Sequence, residues 1–284
     1  MAIEVTPHAA PCGAEVRGVD LSAPLATGDI DAIRAAWLKH QVLDFPGQAL
    51  ALADLERFAA AIGPFGVDPY FESVPGHPHV AQVRREADEK TTLFAENWHS
   101  DWSFLASPPA ATLLYGDVIP PTGGDTLFAD QYGAWECLPA ALRAQVEGRM
   151  GVHSARRGYS PQGRYGKNDQ GRSMAIKVSD SAMATQLHPI GRIHPETGRT
   201  ALYVSPGYTI GIDGLPDDEA GALLAELFAH QARPELVYRH RWSQGMLVMW
   251  DNRCVVHAAT GGYQGHRRLL HRITVAERRV PQPS

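Results

Sequence analysis

The segment Asn97-Trp98-His99-Ser100-Asp101-Trp102 places an imidazole and a carboxylate two residues apart. Side chains of an extended backbone alternate between two faces, so His99 and Asp101 point the same way on a β-strand. Two histidines and one carboxylate form a facial triad, a metal site that leaves coordination positions open. Tryptophans on both sides of the pair are suited to exclude water from such a site. The segment therefore predicts a metal centre carried by β-strands.

The third ligand of this centre is predicted at His257, far along the chain. The stretch 246–253 has the pattern of a strand that runs into a turn, and His257 follows on the next strand. Without His99 and Asp101, a buried core histidine would be the better interpretation of His257. A second candidate, at residues 194–198 (His-Pro-Glu-Thr-Gly), is rejected as the metal site because its proline and glycine favour a hairpin turn.

Two arginines lie on one predicted strand near the end of the chain. Strand alternation puts Arg268 and Arg272 on the same face, together with Leu270 and Thr274. Two guanidinium groups cannot lie unpaired in an apolar core. Either acidic side chains pair with them or they bind anionic ligands bidentately, and the pattern alone leaves both possibilities open.

Composition limits the class of protein. The chain has 284 residues, 44% hydrophobic and 20% charged, and a net charge of −5, which predicts one folded domain over residues 1–284. Without a Lys/Arg stripe, a nucleic-acid partner is not expected. The three cysteines are widely spaced and do not form a C-x-x-C pair, so they are predicted to be free thiols in a reducing compartment. No signal region or apolar run of about 20 residues is present, so we expect a cytoplasmic protein without a membrane partner.

Hydrophobic periodicity predicts a few helices among many short strands. The predicted helices cover residues 29–43, 51–62 and 217–232. The clearest strands cover residues 111–118, 201–204, 246–250 and 269–276. Gly and Pro bound most of these strands, as in a mainly β fold with flanking helices, either a β-sandwich or a jelly roll.

Residues 155–190 differ from the rest of the chain. They are rich in Arg, Gly, Ser, Gln and Lys and show little periodicity. Long irregular segments in a compact domain are often functional, so this stretch is predicted to be a lid insert. An inert surface loop is the alternative.

Several ordered motifs resemble one family. They are residues 13–21, 98–101, 123–126, 194–198 and 250–253, followed by His257, Arg268 and Arg272. With these motifs, which cover nearly the whole chain, the sequence resembles the taurine/2,4-D dioxygenase family of iron(II)/2-oxoglutarate oxygenases. The resemblance implies a double-stranded β-helix, or jelly roll, as the core.

The resemblance also implies roles for individual residues. His99, Asp101 and His257 would bind iron(II), and Thr126 and Arg268 would hold the distal carboxylate of 2-oxoglutarate. The implied reaction consumes O2, hydroxylates a substrate and releases succinate and CO2, with cleavage when the hydroxylated product collapses.

Substrate positions agree less well with the taurine-cleaving members. Arg272 matches the position that contacts the sulfonate in those enzymes. Ala95 and Tyr70 stand where they carry polar groups, and Tyr159 and Tyr208 where they carry phenylalanine. The resemblance therefore implies a small organic anion other than taurine: a sulfonate, a sulfate ester or a carboxylate.

Alternatives from other classes remain at this point. A metal-binding jelly-roll isomerase or a non-catalytic cupin-like module would not need Thr126 and Arg268. A halogenase would lack the carboxylate of Asp101. Within the family, taurine dioxygenase itself is the alternative, and we expect a homo-oligomer, either a dimer or a tetramer.

Overall fold

A computed structural model of the chain describes residues 3–167 and 169–278. Its strands are β1 (Glu4–Pro7), β2 (Ala14–Arg17), β3 (Val42–Phe45), β4 (Ser73–Val74), β5 (His77–Arg85), β6 (Ala111–Val118), β7 (Thr126–Asp130), β8 (Met150–Ser154), β9 (Thr185–Pro189), β10 (Gly191–Ile193), β11 (Thr200–Leu202), β12 (Thr209–Ile212), β13 (Val237–His240), β14 (Leu247–Asp251), β15 (Val255–Ala259) and β16 (Arg268–Val275). Its α-helices are α1 (Thr27–His40), α2 (Leu52–Ile62), α3 (Gln131–Glu136), α4 (Ala140–Val146), α5 (Arg156–Tyr159), α6 (Arg164–Lys167) and α7 (Asp217–Gln231). Two 3-10 turns cover Asp180–Met183 and Pro234–Leu236.

Eight strands form the main sheet, in the order β1-β2-β3-β14-β6-β16-β5-β4. All its neighbours are antiparallel except β2 and β3. A three-stranded sheet, β13-β7-β15, packs against one face, where Leu114, Trp250 and Leu270 of the main sheet share a buried cluster with Phe128 and Val255. The metal ligand predicted on β15 and the arginines predicted on β16 thus belong to facing sheets.

Helices α1 and α2 cover the other face of the main sheet. Ile33, Trp37 and Leu55 pack there against apolar side chains such as Leu113 and Met249. Because both faces are covered, consecutive residues of the central strands are apolar, and alternate ones enter opposite cores. This packing keeps the main sheet rigid beneath the residues that point into the sandwich.

The prediction of a mainly β fold with flanking helices is confirmed, and the two facing sheets, which are antiparallel apart from the β2–β3 pair, fit the predicted jelly roll. The first helix ends at His40, earlier than predicted, because Gln41 takes a left-handed φ of 67° before β3 begins. Helices α3 and α4 were not predicted. Each is about two turns or less, too short to show periodicity, and α3 begins where Asp130 accepts a hydrogen bond from the backbone nitrogen of Tyr132.

The segment 155–190 has more regular structure than its composition indicates. It contains α5, α6, one 3-10 turn and the edge strand β9, which pairs with β8. Arg164 contacts Glu96 at 2.5 Å, and the carboxylate of Glu89 accepts from the backbone nitrogen of Ser173 at 2.9 Å. These contacts hold the segment against the loop that leads to His99. The lid function stays a prediction.

Candidate active site

A backbone bridge brings His99 and His257 together. The backbone nitrogen of His99 donates to the oxygen of His257 at 3.0 Å, and the reverse bond measures 2.8 Å. The two imidazole ring centres are 4.2 Å apart. The bridge therefore links the loop after β5 to β15 and places the two predicted histidine ligands side by side.

Asp101 reaches the same site by a route other than the predicted one. It lies in a turn rather than on a strand, and the next residue, Trp102, has a φ of 50°. The expectation that strand alternation aligns His99 with Asp101 is therefore wrong. The turn, and not an extended backbone, carries the carboxylate round toward the two histidines.

The three side chains converge on one buried point. Oδ1 of Asp101 lies 3.6 Å from Nε2 of His99 and 3.9 Å from Nε2 of His257. All three residues are buried, and their ligand atoms lie within 4.8 Å of one another. One ion can contact all three atoms. Two imidazole nitrogens and one carboxylate oxygen are the donor set of a 2-His-1-carboxylate triad, which suits iron(II).

Hydrogen bonds orient these ligands. Nδ1 of His99 lies 2.8 Å from the backbone oxygen of Asn97 and donates to it, so the lone pair of Nε2 faces the site. Oδ2 of Asp101 accepts from the Thr112 hydroxyl at 2.6 Å and from Nη1 of Arg272 at 3.0 Å. Because Oδ2 is occupied, Oδ1 is the oxygen presented to a metal.

Thr112 is itself held in place by a short chain of contacts. Its hydroxyl oxygen accepts from Nδ2 of Asn252 at 2.9 Å, and Oδ1 of Asn252 accepts from Nε1 of Trp250 at 2.9 Å. These groups are buried between β6 and β14. Sequence reasoning missed Thr112 and gave Asn252 no role beyond its place in the 250–253 motif, because neither belongs to a metal-ligand pattern.

The protonation states suit metal binding. Burial lowers the pKa of His99 and lowers the pKa of His257 well below its usual value, so both imidazoles are neutral. Burial raises the pKa of Asp101, but the positive charge of Arg272 and the hydrogen bond from Thr112 hold that pKa below its usual range. The site thus presents two neutral imidazoles and one carboxylate.

Arg268 and Thr126 lie in the same cavity as the three ligands. Arg268 donates to the backbone oxygen of Gly124 at 3.0 Å, and its guanidinium lies against the rings of Tyr263 and Trp242. Among the described residues no carboxylate forms a salt bridge with it, although Asp125 acts on its charge from a distance, and its buried Nε has no hydrogen-bond partner. A buried guanidinium without a salt bridge is suited to bind an anionic ligand.

Thr126 has a defined hydrogen-bond role. Its hydroxyl oxygen accepts from Nε1 of Trp242 at 3.0 Å. An indole nitrogen can only donate, so the threonine oxygen is the acceptor and its own hydrogen stays free to donate to a carboxylate. Gly124 permits the close approach of this loop: a Cβ there would lie 3.0 Å from Nε of Arg268, and its φ of 71° favours glycine.

The substrate positions suggested by the resemblance form an aromatic wall. Tyr159, Tyr208 and Ala95 line the cavity with the triad and Arg272. Tyr70 does not line it, but stacks on the outer side of Tyr159 with ring centres 4.4 Å apart. Burial raises the pKa of both lining tyrosines, so they are neutral hydroxyls in this wall.

Arg272 lies between two carboxylates. Besides the contact with Asp101, its Nη2 lies 3.2 Å from Oδ1 of Asp68. Burial lowers the pKa of Arg272, but the two carboxylates outweigh it and raise that pKa above its usual value. Sequence reasoning left open whether acidic side chains would pair with the arginines, and they do so at Arg272. Asp68 was not identified, because no pattern marks it.

The rejected His-Pro-Glu stretch lies at the turn between β10 and β11. Nδ1 of His194 accepts from the backbone nitrogens of Glu196 and Thr197, both at 3.1 Å. Although His194, Asp251 and Cys254 lie close enough to hold a metal, Arg253 and His194 already bond the oxygens of Asp251. This cluster is an ion-pair network that fastens the turn to β14.

Comparisons with known proteins agree with this site. The profile of the "Taurine catabolism dioxygenase TauD, TfdA family" matches residues 4–274. The chain belongs to this family. The prediction of a family of 2-oxoglutarate-dependent dioxygenases is thereby confirmed.

Individual relatives differ in their substrates. The chain is 33% identical over 278 residues to an alpha-ketoglutarate-dependent sulfate ester dioxygenase of Pseudomonas putida, covering 96% of this chain and 89% of that protein. It is 34% identical to the 2,4-dichlorophenoxyacetate dioxygenase of Cupriavidus pinatubonensis, covering 93% and 94%. A crystal structure of a taurine dioxygenase from Burkholderia xenovorans superposes with a TM-score of 0.80 at 34% identity, covering 98% and 92%. Family membership therefore does not select one substrate.

None of the described helices is both long enough and apolar enough to cross a membrane.

Proposed function

We propose that this protein is an iron(II)- and 2-oxoglutarate-dependent dioxygenase that hydroxylates a small organic anion and releases succinate and CO2. The observation that carries the proposal is the cavity shared by the His99, Asp101 and His257 triad and a buried Arg268 that lacks a carboxylate partner in the described chain. A bare metal-binding module has no use for such an arginine.

The chain's own residues divide the work in this proposal. His99, Asp101 and His257 would hold iron(II), which with 2-oxoglutarate and O2 supplies the oxidising power. Arg268 pairs with the distal carboxylate of 2-oxoglutarate, and the Thr126 hydroxyl donates to it. The charge-assisted pair fixes the position of the co-substrate relative to the triad.

The aromatic wall has two roles. The rings of Trp102, Tyr159 and Tyr208 exclude water from the cavity and leave an apolar surface for an alkyl or aryl group. Arg272 lines the same cavity, and its guanidinium carbon lies 5.1 Å from the ring centre of Trp102. An alkyl or aryl sulfonate, sulfate ester or carboxylate fits this combination, and the relatives that act on a sulfate ester and a phenoxyacetate support it.

The test is succinate release by the iron-loaded protein with 2-oxoglutarate and O2. A panel of alkyl sulfonates, alkyl sulfates, aryloxyalkanoates, amino acids and taurine is expected to give substrate-dependent succinate with one of the organic anions. The proposal is wrong if no member of the panel stimulates succinate formation, and its substrate class is wrong if taurine is the best substrate.

We also propose a cytoplasmic homo-oligomer, a dimer or a tetramer. Its mass is measured by light scattering after size-exclusion chromatography, and a monomer at working concentrations contradicts the proposed oligomeric state.

A further inference from the structure

The environment of Arg272 differs from that of Arg268, although both lie on one face of β16. Nη1 of Arg272 donates to Asp101 at 3.0 Å, and its Nε donates to Oδ1 of Asp68 at 3.3 Å. The same oxygen of Asp68 accepts from Nε1 of Trp102 at 2.6 Å. Asp68 is thus a counter-ion in direct contact with Arg272, whereas Asp125 acts on Arg268 only from a distance and no described carboxylate forms a salt bridge with it.

The charge of Arg272 is therefore already balanced before a substrate arrives, although its buried Nη2 has no hydrogen-bond partner among the described residues and can still donate to a substrate. Asp101 presents its other oxygen to the metal site, so a bound divalent ion largely neutralises it there. Asp68 does not face the metal site, so a bound ion does not neutralise its charge, and only 14% of its side chain is exposed. A substrate anion that contacts Arg272 meets the repulsion of this carboxylate in a poorly hydrated site, where charges interact more strongly than in water.

Arg272 does not depend on Asp68 alone for its position. Its guanidinium carbon lies 5.4 Å from the ring centre of Phe71 and 5.1 Å from that of Trp102. Asp101 holds a third side of the group. Removing the charge of Asp68 while keeping an oxygen for Trp102 therefore leaves the arginine in place.

We propose that Asp68 is a specificity-determining residue that weakens the binding of substrate anions in proportion to their charge, so that the pocket prefers monoanions to dianions. This inference rests on the proposed function and narrows its substrate class to sulfonates, sulfate esters and carboxylates with one negative charge. Phosphate monoesters, which carry close to two charges near pH 7, are disfavoured.

The experiment measures binding rather than turnover. Iron-loaded protein with 2-oxoglutarate under nitrogen is titrated with pentyl sulfate, pentyl phosphate and 1-pentanol, and quenching of tryptophan fluorescence is followed. Wild type is compared with Asp68→Asn, whose amide oxygen still accepts from Trp102. Asp117→Asn is the matched control, since it removes a half-exposed carboxylate that contacts His271 at the surface.

Coulomb repulsion scales with the product of the charges, so the two anions should respond differently. In Asp68→Asn we expect pentyl sulfate to bind roughly tenfold more tightly and pentyl phosphate roughly a hundredfold, the logarithmic gain doubling with the charge. Binding of 1-pentanol should change by less than about twofold in the same comparison. Asp117→Asn should bind all three as wild type does.

Several results overturn the inference. Weaker anion binding in Asp68→Asn means that the carboxylate only positions Arg272, and an equal gain for all three ligands means that the pocket has changed shape. Two results with the wild-type protein alone also contradict the inference. One is tighter binding of pentyl phosphate than of pentyl sulfate, and the other is no measurable binding of either anion. If Asp68→Asn does not fold, Asp68→Ser replaces it. Failure of the proposed function appears separately, as absent succinate in air.

Discussion

Thr112→Val tests whether the orientation of Asp101 controls the metal site. Valine keeps the shape of threonine but removes the hydroxyl that donates to Oδ2 of Asp101 at 2.6 Å. A hydrogen bond to a charged group contributes about 1.5–3 kcal/mol. Arg272 still holds the same oxygen, so the carboxylate loses one of two restraints and not both.

The expected result is weaker iron binding in a folded protein. Loss of an outer-shell partner costs about 10–100-fold in metal affinity, which equals about 1.4–2.8 kcal/mol and agrees with the value of the lost bond. Iron(II) affinity is measured by competition with a chromophoric chelator under nitrogen. Thr112→Ser is the control, because it keeps the hydroxyl, and its affinity should stay within about threefold of wild type.

The competing explanation is that Thr112 only fills space in the core. In that case Thr112→Val binds iron as wild type does, while Thr112→Ser, which loses a buried methyl group, is the less stable variant. That outcome would refute the reasoning that the threonine hydroxyl selects which oxygen of Asp101 faces the metal.

Three other changes separate the parts of the site. His99→Ala, Asp101→Ala or His257→Ala should each abolish turnover and lower iron affinity by more than about 100-fold, because each removes one of three protein ligands; wild-type activity in any two of them means that the site lies elsewhere. Arg268→Lys should raise the KM for 2-oxoglutarate about 10–100-fold, since lysine cannot form the bidentate pair, and an unchanged KM points to another cation. Trp242→Phe should raise the KM for 2-oxoglutarate about 2–10-fold with kcat retained, because the Thr126 hydroxyl loses the indole donor that orients it. A loss of kcat as large as the rise in KM contradicts this role.

The grouping of His99, Asp101 and His257 could be predicted from the sequence, but the way they meet could not. The spacing of His99 and Asp101 suggested one strand, whereas the structure uses a bridge to His257 and a turn at Trp102 with a φ of 50°. A left-handed φ at a tryptophan has no signature in the sequence, since glycine or asparagine normally marks such a turn. The residue types were therefore more informative than the local geometry assumed for them.

The hydrogen-bond partners of Asp101 and Arg272 could not be predicted from sequence patterns. Thr112 and Asp68 contact residues 11 and 204 positions away, at Asp101 and Arg272. Strand parity predicted the face on which Arg272 lies, but a partner supplied by a loop from another part of the chain follows no periodicity. Only the folded chain shows which carboxylates reach it.

The two arginines of β16 lie on one strand face but have different surroundings. Arg268 contacts a backbone oxygen and two aromatic rings but forms no salt bridge with a carboxylate of the described residues, so it can pair with a ligand that brings a full charge. Arg272, two strand repeats further along, is already paired with Asp68. A co-substrate that is present in every cycle can be bound strongly by charge. A substrate that must be distinguished from other anions is better served by a cation whose charge is partly balanced. Recognition of that substrate then depends more on shape and on hydrogen bonds. Under the proposed function, the same residue type provides affinity at one position and selectivity at the other, and the difference lies in the acidic side chain that the loop before β4 supplies.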